Sequence, residues 1–480
     1  MASGNGCVPH VRVVSRRLVQ ASDASIQPRV LAVSNLDLLP QAIQVSMFCV
    51  YPKPSPSPST TGAFQDVVTA FASGLPSLLN HFFPFAGRVV TDPCSGLPEV
   101  HCGNQGAELV VGVADVELSC LDYGSVGASI AKILLPYAGD VALSVQVVSF
   151  PCGGFTVAWG TNHVVVDGSG LSLLVSAWSE LARSGSGELV AGARPNHDRS
   201  VFRPRAPPSY RASLDRAFTP SDGERQVNVL TSDESFVLRL YYIEASEIAR
   251  LREAASRDGA PPATRVQAVS AYLWKALAAV VGARDERCRM GWWIDGRRRL
   301  TSPEHRAAMR NYVGNVVTFT HAEATVEEVQ RKPLAEVASM ARDAITAAAR
   351  DVDEHFQELV DWVEEHKPRS YVETATVGLG SPTVSVTAFT SFPLDTDFGF
   401  GHAAIAMPTT ASAARLCSGF VQLVARPGGD GSWFASALLW PRLAAALESD
   451  EQRVFKPLTA EYIGLKAQGS KSSVNEPVSC

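Results

Sequence analysis

The 480-residue sequence contains no long apolar run. No window approaches the roughly 20 apolar residues that a membrane-spanning helix needs. After Arg12, Arg16 and Arg17 near the N-terminus, the sequence also lacks the continuous apolar stretch that a secretory signal requires. We therefore expect a cytosolic protein that does not interact with a membrane.

Paired cysteines and large basic clusters are also missing. The nine cysteines are scattered and none forms a C-x-x-C pair, so the sequence predicts neither a zinc site nor a disulfide framework. The net charge is −6, and the densest basic run, Arg297 to Arg299, is too short to bind nucleic acid. We therefore expect neither a metal ion nor a nucleic acid as a ligand.

Three common catalytic motifs do not occur in the chain. The sequence has no G-x-S-x-G, no H-E-x-x-H and no G-x-x-x-x-G-K-[ST]. These motifs mark the α/β-hydrolases, the zinc peptidases and the P-loop nucleotide-binding proteins, respectively. Any chemistry must therefore come from another arrangement of residues.

What the sequence does contain is the composition of a folded protein, with 46% hydrophobic and 19% charged residues. Segments with helical and strand periodicity alternate along it, which predicts an α/β fold. The periodicity is lost over a long stretch rich in Gly, Pro, Arg and Ser, which is typical of a linker. We therefore predict an N-terminal domain over residues 1–190, a crossover loop over 191–232, a C-terminal domain over 233–465 and a disordered tail over 466–480.

The most informative segment is Asn162–Gly168, which contains His163 and Asp167. A predicted strand over 155–162 leads into His163, and a predicted helix follows with Ser169 as a plausible cap. A neutral imidazole can remove a proton from an attacking group near neutral pH. The alternative is a core histidine beside a helix-capping aspartate, because four extended residues span about 13 Å and the two side chains meet only if the chain turns.

A second segment, Asp397–Gly401, reads DFGFG. Two glycines that alternate with aromatic residues indicate a tightly packed loop with unusual dihedral angles. A structural role is favoured over a directly chemical one, because neither Phe has a transferable proton. A buried carboxylate at Asp397 needs a partner, and an arginine near residues 294–300 is a candidate.

Taken together, these segments resemble the plant BAHD acyltransferase family. The matching blocks occur in the family's order and cover most of the chain: SNLDLL at 34–39, HFFPFAGRVV at 81–90, NHVVVDG at 162–168, VQAVSAYLWKAL at 266–277, IDGRRRL with NYVGNVV at 294–317, and DFGFG at 397–401. The resemblance implies the two-domain fold of chloramphenicol acetyltransferase, with mixed sheets flanked by helices and an active-site channel between the domains. It also implies acyl-CoA as co-substrate and no other cofactor.

The resemblance assigns roles to individual residues. His163 is expected to be the general base, and Asp167 with Gly168 to hold the local structure through an arginine contact. Asp397 is the second residue assigned to catalysis, as the brace of the loop that contains Gly399 and Gly401. Arg297 is the expected partner of Asp397.

The departures from the family pattern concern the acceptor. Phe400 stands where the family commonly has Trp, which is a conservative change. Family members that acylate shikimate or quinate have a Trp and an Arg facing the acceptor, and Phe389 and Ser391 align with those positions. Because Ser391 is neutral, an acidic acceptor is disfavoured. Because Phe389 cannot donate a hydrogen bond, Thr387 becomes the candidate donor to the developing oxyanion.

The expected reaction is direct transfer of an aromatic acyl group, hydroxycinnamoyl or benzoyl, from CoA to an amine or uncharged alcohol, by a monomeric enzyme. Three alternatives stay open. One is transfer of an aliphatic acetyl or malonyl group, and another is a catalytically silent protein that binds CoA esters. The third is a condensation-type domain, which is disfavoured because Asn162 stands where such domains usually carry a second His.

Overall fold

The structure is a computed structural model that describes residues 8–40, 43–56, 63–190, 192–220, 236–257, 259–281, 285–348, 350–367, 369–377, 381–409 and 418–465. The strands in chain order are β1 Val11–Val19, β2 Arg29–Ala32, β3 Gln44–Tyr51, β4 Arg88–Thr91, β5 Pro98–Cys102, β6 Ala107–Ala114, β7 Leu143–Ser149, β8 Phe155–Asn162, β9 Phe218–Pro220, β10 Val237–Ile243, β11 Arg287–Asp295, β12 Val317–Thr325, β13 Tyr371–Glu373, β14 Thr383–Ala388, β15 Ile405–Thr409, β16 Ser418–Ala425, β17 Trp433–Leu439 and β18 Lys456–Pro457.

Helices alternate with these strands. In chain order they are α1 Asn35–Leu38, α2 Phe64–His81, α3 Ile130–Ile133, α4 Gly168–Ser184, α5 Ser213–Ala217, α6 Ala245–Ala254, α7 Arg265–Val280, α8 Pro303–Ala308, α9 Val326–Arg331, α10 Leu334–Ala347, α11 Val352–His366, α12 Thr374–Val377 and α13 Pro441–Ser449. Short 3₁₀ helices occur at Phe83–Ala86, Leu118–Cys120, Val126–Ala128 and Arg199–Val201. No helix in this described part of the chain is both long enough and apolar enough to cross a membrane.

The first large sheet is mixed and has the strand order β1-β6-β7-β8-β3-β15. Every residue of β8 is buried, which is typical of a strand covered on both faces. The apolar faces of α2 and α4 belong to the same hydrophobic core as β3 and β8. Strand β8 of this sheet ends at Asn162, and His163 follows it directly in the chain.

The second large sheet has the order β12-β11-β14-β16-β17-β10-β18. On β11 the even-numbered residues Cys288, Met290, Trp292 and Ile294 join the core that includes α7. The odd-numbered residues Arg289, Trp293 and Asp295 instead line a cavity that they share with His163. The α/β architecture with mixed sheets and flanking helices confirms the fold that the resemblance implied.

Several predicted boundaries agree with the structure, and one cap does not. The predicted strand at 155–162 coincides with β8. The first helix after His163 begins at Gly168, and its N-cap is Asp167, whose side chain accepts from the Gly170 N–H at 3.0 Å. The prediction that Ser169 caps this helix was wrong, because Asp167 precedes the first turn and a carboxylate is a strong capping acceptor.

The predicted domain limits need a correction in the second half of the chain. Strand β15 lies in the first sheet, where it pairs antiparallel with β3. Residues 233–465 therefore do not form one separate domain, because they contribute a strand to the other sheet. The predicted crossover at 191–232 contains α5 and β9 rather than loop alone. Residues 221–235 and the predicted tail at 466–480 lie outside the described residues.

Candidate active site

His163 directly follows β8, at the point where the chain leaves the first sheet. Its backbone N–H donates to the Ile43 carbonyl at 2.8 Å, and its ring Nδ1 lies 3.0 Å from Oδ1 of Asn315. The three valines that follow, Val164–Val166, are buried and anchor the turn toward α4. The backbone of His163 is thus held by the first half of the chain, and its imidazole is in contact with Asn315 from the second half.

The contacts of Asn315 determine which ring nitrogen of His163 carries the proton. Asn315 Nδ2 lies 3.0 Å from Oδ1 of Asp37 and 2.8 Å from the carbonyl oxygen of His163. Both of these atoms are acceptors, so the amide nitrogen of Asn315 must face them and its oxygen must face the ring. Nδ1 of His163 therefore donates, and Nε2 is the nitrogen that can accept a proton.

Asp37 anchors this amide and is fully buried. Its carboxylate accepts from the Asn315 backbone N–H at 2.8 Å and from Ser34 N–H at 2.7 Å. Arg199 pairs with it at 2.5 Å and also donates to the Val165 carbonyl at 2.8 Å. The buried charge is therefore compensated, and the same ion pair holds the chain beside His163.

Asp167 is turned into the protein and paired with Arg297. The contact is bidentate, with Nη1 at 2.7 Å from Oδ2 and Nη2 at 3.0 Å from Oδ1. Oδ2 also accepts from the Val316 N–H at 3.1 Å. This geometry matches the predicted arginine contact of Asp167, which links the first turn of α4 to the segment after β11.

A cavity of about 590 Å³ lies between the two large sheets, and His163, Asp167 and Gly168 line it. Much of its wall is aromatic, with six Phe and Trp side chains: Phe218, Trp293, Phe319, Phe389, Phe392 and Phe420. Polar groups are interspersed, namely Ser46, Thr318, Thr320, Thr387 and Gln422. The imidazole therefore borders a space of the size usual for small-molecule sites, with a few polar groups in a largely apolar lining.

Three ionisable groups in this lining have shifted pKa values. Burial raises the pKa of the Asp295 carboxyl despite the nearby Arg297. Burial is the main reason that the pKa of His355 lies below the ordinary value, and partial desolvation lowers the pKa of His321, whose side chain keeps solvent exposure. Both imidazoles are therefore neutral near pH 7 and do not offer a cation to an acidic substrate. Among the described residues, no cluster of His, Cys, Asp or Glu could hold a metal ion.

The model of the Transferase family matches residues 9–452, which is most of the chain. The chain belongs to the plant BAHD acyltransferases. This membership confirms the family that the motifs at His163 and Asp397 predicted.

Relatives of this BAHD protein act on different acceptors. A putrescine hydroxycinnamoyltransferase from Oryza sativa subsp. japonica is 27% identical over 450 residues, covering 88% of this chain and 94% of the relative. A fatty alcohol:caffeoyl-CoA acyltransferase from Arabidopsis thaliana is 26% identical over 410 residues, covering 82% and 88%. The crystal structure of vinorine synthase superposes with a TM-score of 0.68 at 20% identity, covering 93% of this chain and 99% of that one, and so shares the fold.

The BAHD protein does not pair Arg297 with Asp397, so that predicted contact was wrong. Arg297 is occupied by Asp167 and by Asp295, whose Oδ1 lies 3.2 Å from Nη1. Oδ1 of Asp397 instead accepts from the backbone N–H groups of Gly399 at 2.7 Å and Gly401 at 2.9 Å. Two amide donors in a turn stabilise this carboxylate locally, without a cation.

The DFGFG loop packs against the first sheet and not into the cavity. Gly399 and Gly401 have φ angles of +94° and +90°, which favour glycine. Phe398 is buried, with its ring 4.9 Å from that of Phe71 and 5.9 Å from that of Trp159. Asp397 is absent from the described lining of the cavity. The geometry supports a brace for the loop and gives Asp397 no contact with a reacting group.

The three acceptor-side candidates divide into two groups. Thr387 and Phe389 line the cavity, whereas Ser391 is exposed and outside its described lining. The expectation that Ser391 faces the acceptor was wrong, because β14 ends at Ala388 and the chain turns away. Phe389 instead packs on Gly168, where an added Cβ would lie 2.1 Å from the ring. Gly168 is thus required for the close approach of α4 to this wall.

Sequence reasoning did not assign a role to Asn315, Asp37 or Arg199. Asp37 and Asn315 do lie inside the SNLDLL and NYVGNVV blocks that carried the resemblance. Their function was not readable because it depends on contacts between segments more than 270 residues apart, Asn315 N to Asp37 Oδ1 among them. The only signal in the sequence was a polar residue within each of these two apolar blocks.

Proposed function

We propose that this BAHD protein transfers an aromatic acyl group, hydroxycinnamoyl or benzoyl, from CoA to an amine or uncharged alcohol of a small molecule. One observation carries the proposal. The Asn315 amide holds His163 in the tautomer whose Nε2 accepts a proton, and this ring lines the cavity of about 590 Å³. An imidazole so arranged is suited to act as a general base.

The reaction proceeds in one ternary complex. The acceptor nitrogen or oxygen attacks the thioester carbonyl while Nε2 of His163 removes its proton. The tetrahedral intermediate collapses, the carbon–sulfur bond breaks, and the imidazolium returns the proton to the CoA thiolate. The Asn315 carbonyl oxygen, which accepts from Nδ1–H, stabilises the imidazolium that forms in between. No covalent acyl-enzyme is needed, and acyl-CoA is the co-substrate.

Thr387 is the proposed donor to the oxyanion. It lies on β14 in register with Gln422 of β16, and both side chains line the cavity. A hydroxyl can donate to the charge that develops on the carbonyl oxygen, and such donors contribute most in a site that excludes water. Phe389, two residues on, contributes a ring to the wall but no donor.

The aromatic donor and the uncharged acceptor are supported by the lining. Six Phe and Trp side chains border the cavity, and the imidazoles of His321 and His355 in its wall are neutral near pH 7. Two arginines line the cavity as well: Arg289 is paired with Glu323 at 2.5 Å, whereas Arg216 is exposed to solvent. The two relatives described above take hydroxycinnamoyl-type donors and pass them to a diamine or a fatty alcohol, according to their names.

We further propose that the enzyme acts as a cytosolic monomer without a cofactor. A size-exclusion measurement of the purified protein with light scattering tests the monomer. Full activity after dialysis against a chelator tests the absence of a metal.

The decisive experiment incubates purified protein with a matrix of acyl-CoAs and acceptors, and measures product by mass spectrometry and thiol release by colorimetry. We expect His163→Ala to lower turnover by about 10²- to 10⁴-fold while circular dichroism and CoA-ester binding stay unchanged. His402→Ala, at an exposed histidine outside the cavity lining, is the matched control and should keep full rate. A His163→Ala variant with the wild-type rate contradicts the base assignment. Binding without any thiol release would identify a silent homologue.

A further inference from the structure

The cavity-facing side of the second sheet has an aromatic surface that the proposed chemistry does not use. Along β11 the side chains alternate, with Trp292 in the core and Trp293 in the cavity wall. On β12, Phe319 and His321 also line the cavity. The two strands are antiparallel, and Trp293 lies opposite Phe319 while Gly291 lies opposite His321.

Gly291 leaves space that the Phe319 ring occupies. A Cβ placed on Gly291 would lie 2.2 Å from Cζ, 2.7 Å from Cε2 and 3.3 Å from Cε1 of Phe319. The ring of Phe319 therefore lies over Gly291, diagonally across the strand pair. Any side chain at position 291 would displace the Phe319 ring, because a Cβ at 2.2 Å from a ring carbon is far inside van der Waals contact distance.

The rings of Trp293, Phe319 and His321 therefore lie side by side in a row. The Phe319 ring centroid is 4.9 Å from that of Trp293, and 6.3 Å from that of His321, at an interplanar angle of 18° to the latter. Trp293 and Phe319 are only partly buried, and His321 is exposed, whereas their even-numbered neighbour Trp292 is buried. We refer to Trp293, Phe319 and His321 over Gly291 as the aromatic platform.

The platform begins close to the catalytic group. Trp293 is two residues from Asp295, which spans about 7 Å of strand. Asp295 contacts Arg297, and Arg297 binds Asp167 beside the His163 turn. The three platform rings and His163 line the same cavity, so a planar ring attached to the reacting carbonyl or to the attacking heteroatom shares this space with the platform.

We propose that the aromatic platform stacks the planar aromatic ring of a substrate, and that Gly291 determines this specificity by letting the Phe319 ring lie over the strand. The inference rests on the proposed function, and it adds which residues select an aromatic substrate. Aromatic residues also pair with strand glycines as a structural device. Here the rings remain in the cavity wall, where offset stacking on a ligand contributes beyond area burial.

The test compares ligand affinities by calorimetry, so that it does not depend on turnover. In the donor arm, p-coumaroyl-CoA is compared with hexanoyl-CoA, and in the acceptor arm tyramine is compared with putrescine. Gly291→Val displaces the Phe319 ring, and Phe319→Leu removes it without crowding the backbone. The matched control is Gly139→Val, since a Cβ at Gly139 meets nothing within 4 Å and this residue does not line the cavity.

We expect both platform variants to lose at least about tenfold in affinity for the aromatic ligand of one arm, with little change for its aliphatic counterpart. The arm that responds identifies whether the ring belongs to the donor or to the acceptor. If Gly291→Val does not fold, Phe319→Leu decides alone. Equal losses for aromatic and aliphatic ligands, or no aromatic preference by the wild type in either arm, would overturn the proposal. Failure of the proposed function is a separate result, namely aromatic binding without thiol release.

Discussion

At the scale of single residues, the protonation state of one imidazole depends on one amide. Asn315 cannot flip its side chain, because its nitrogen would then turn away from the Asp37 carboxylate and the His163 carbonyl. The tautomer of His163 follows from that restriction. Asn315 is therefore a positioning residue for the ring that it holds, and it also borders the cavity.

Replacement of Asn315 by alanine tests this role. We expect Asn315→Ala to lower kcat by about 10- to 100-fold with little change in KM, because the ring loses the partner that fixes its tautomer and orientation. The apparent pKa in the pH profile of kcat/KM should shift as well. Asn35→Ala is the control, since Asn35 is equally buried and bonds to the Val360 carbonyl and Glu364 but does not contact His163. An Asn315→Ala profile that matches that of Asn35→Ala would show a merely structural residue.

His197 offers a prediction about stability rather than catalysis. Burial lowers its pKa from the usual 6.5 to about 4, although its ring donates to the His81 carbonyl at 2.9 Å. Between pH 6.5 and 4 the unfolded chain binds this proton and the folded chain does not, so stability falls as the pH drops through that window.

Replacing His197 removes its titration, and the free energy of unfolding should then depend less on pH. We expect the free energy of unfolding of His197→Gln to lose up to about 1.4 kcal/mol per pH unit of slope between pH 6.5 and 4, relative to the wild type. Denaturant titrations at half-unit pH steps measure it. An unchanged slope in His197→Gln would contradict the effect of burial.

The chemical roles of single side chains could be predicted from the sequence, whereas the residues that they contact could not. The pattern around His163 and Asp167 predicted a base and a structural carboxylate, because few residue types can fill those roles. Charge complementarity could not decide whether Arg297 belongs to Asp167 or to Asp397. The structure shows that Asp397 needs no cation, since two glycine N–H groups in an unusual turn compensate it. Matching positive with negative residues in the sequence cannot predict such a turn.

At the scale of elements, the DFGFG loop connects the two sheets. The loop follows β14 of the second sheet and leads into β15 of the first, and Phe398 packs between Phe71 and Trp159. The two hydrogen bonds to Asp397 stabilise the turn that contains Phe398. The loop therefore stabilises the junction between sheets, at a distance from the reacting groups.

Loss of the Asp397 carboxylate should thus reduce stability and activity together. We expect Asp397→Ala to lose about 1–3 kcal/mol of unfolding free energy, because two amide donors lose a charged acceptor. Thermal denaturation and steady-state rates measure the two effects. Asp397→Asn keeps an acceptor oxygen and should lose less of both. Slower catalysis at an unchanged melting temperature would mean that Asp397 acts on the reaction and not on the loop.

Periodicity located many elements but not all. The helix predicted at 352–366 and the strands predicted at 418–425 and 433–439 agree with α11, β16 and β17, since each has one strongly apolar face. Strand β12 was not predicted. In its sequence VTFTHAEAT the residues 317–321 all line the cavity, and polar and aromatic side chains are mixed there, so neither face of the strand has the pattern of a core. A strand that lines a substrate cavity lacks the alternation that a core-facing strand shows.

At the scale of the whole molecule, the two halves of the chain are interlocked. Strand β15 crosses from the second half into the first sheet and pairs with β3 from Ile405 opposite Val50 to Thr409 opposite Ser46. The Asp37–Arg199 and Asn315–His163 contacts cross between distant segments as well. A two-domain division by sequence position was predictable from the long aperiodic stretch. The position of β15 in the first sheet was not predictable, because a five-residue apolar strand can pair in either sheet.

The exchange predicts that the first half cannot fold alone. A fragment of residues 1–220 leaves β3 as an open edge strand, and its residues Met47–Tyr51, all buried in the whole protein, lose the neighbour that β15 provides. We expect this fragment to aggregate on size exclusion, and co-expression with residues 221–480 to yield a soluble complex. Met407→Asp in the second fragment should abolish the rescue, because Met407 is fully buried in the first core. A monomeric 1–220 fragment with native near-ultraviolet circular dichroism would show that β15 is dispensable for the folding of the first half.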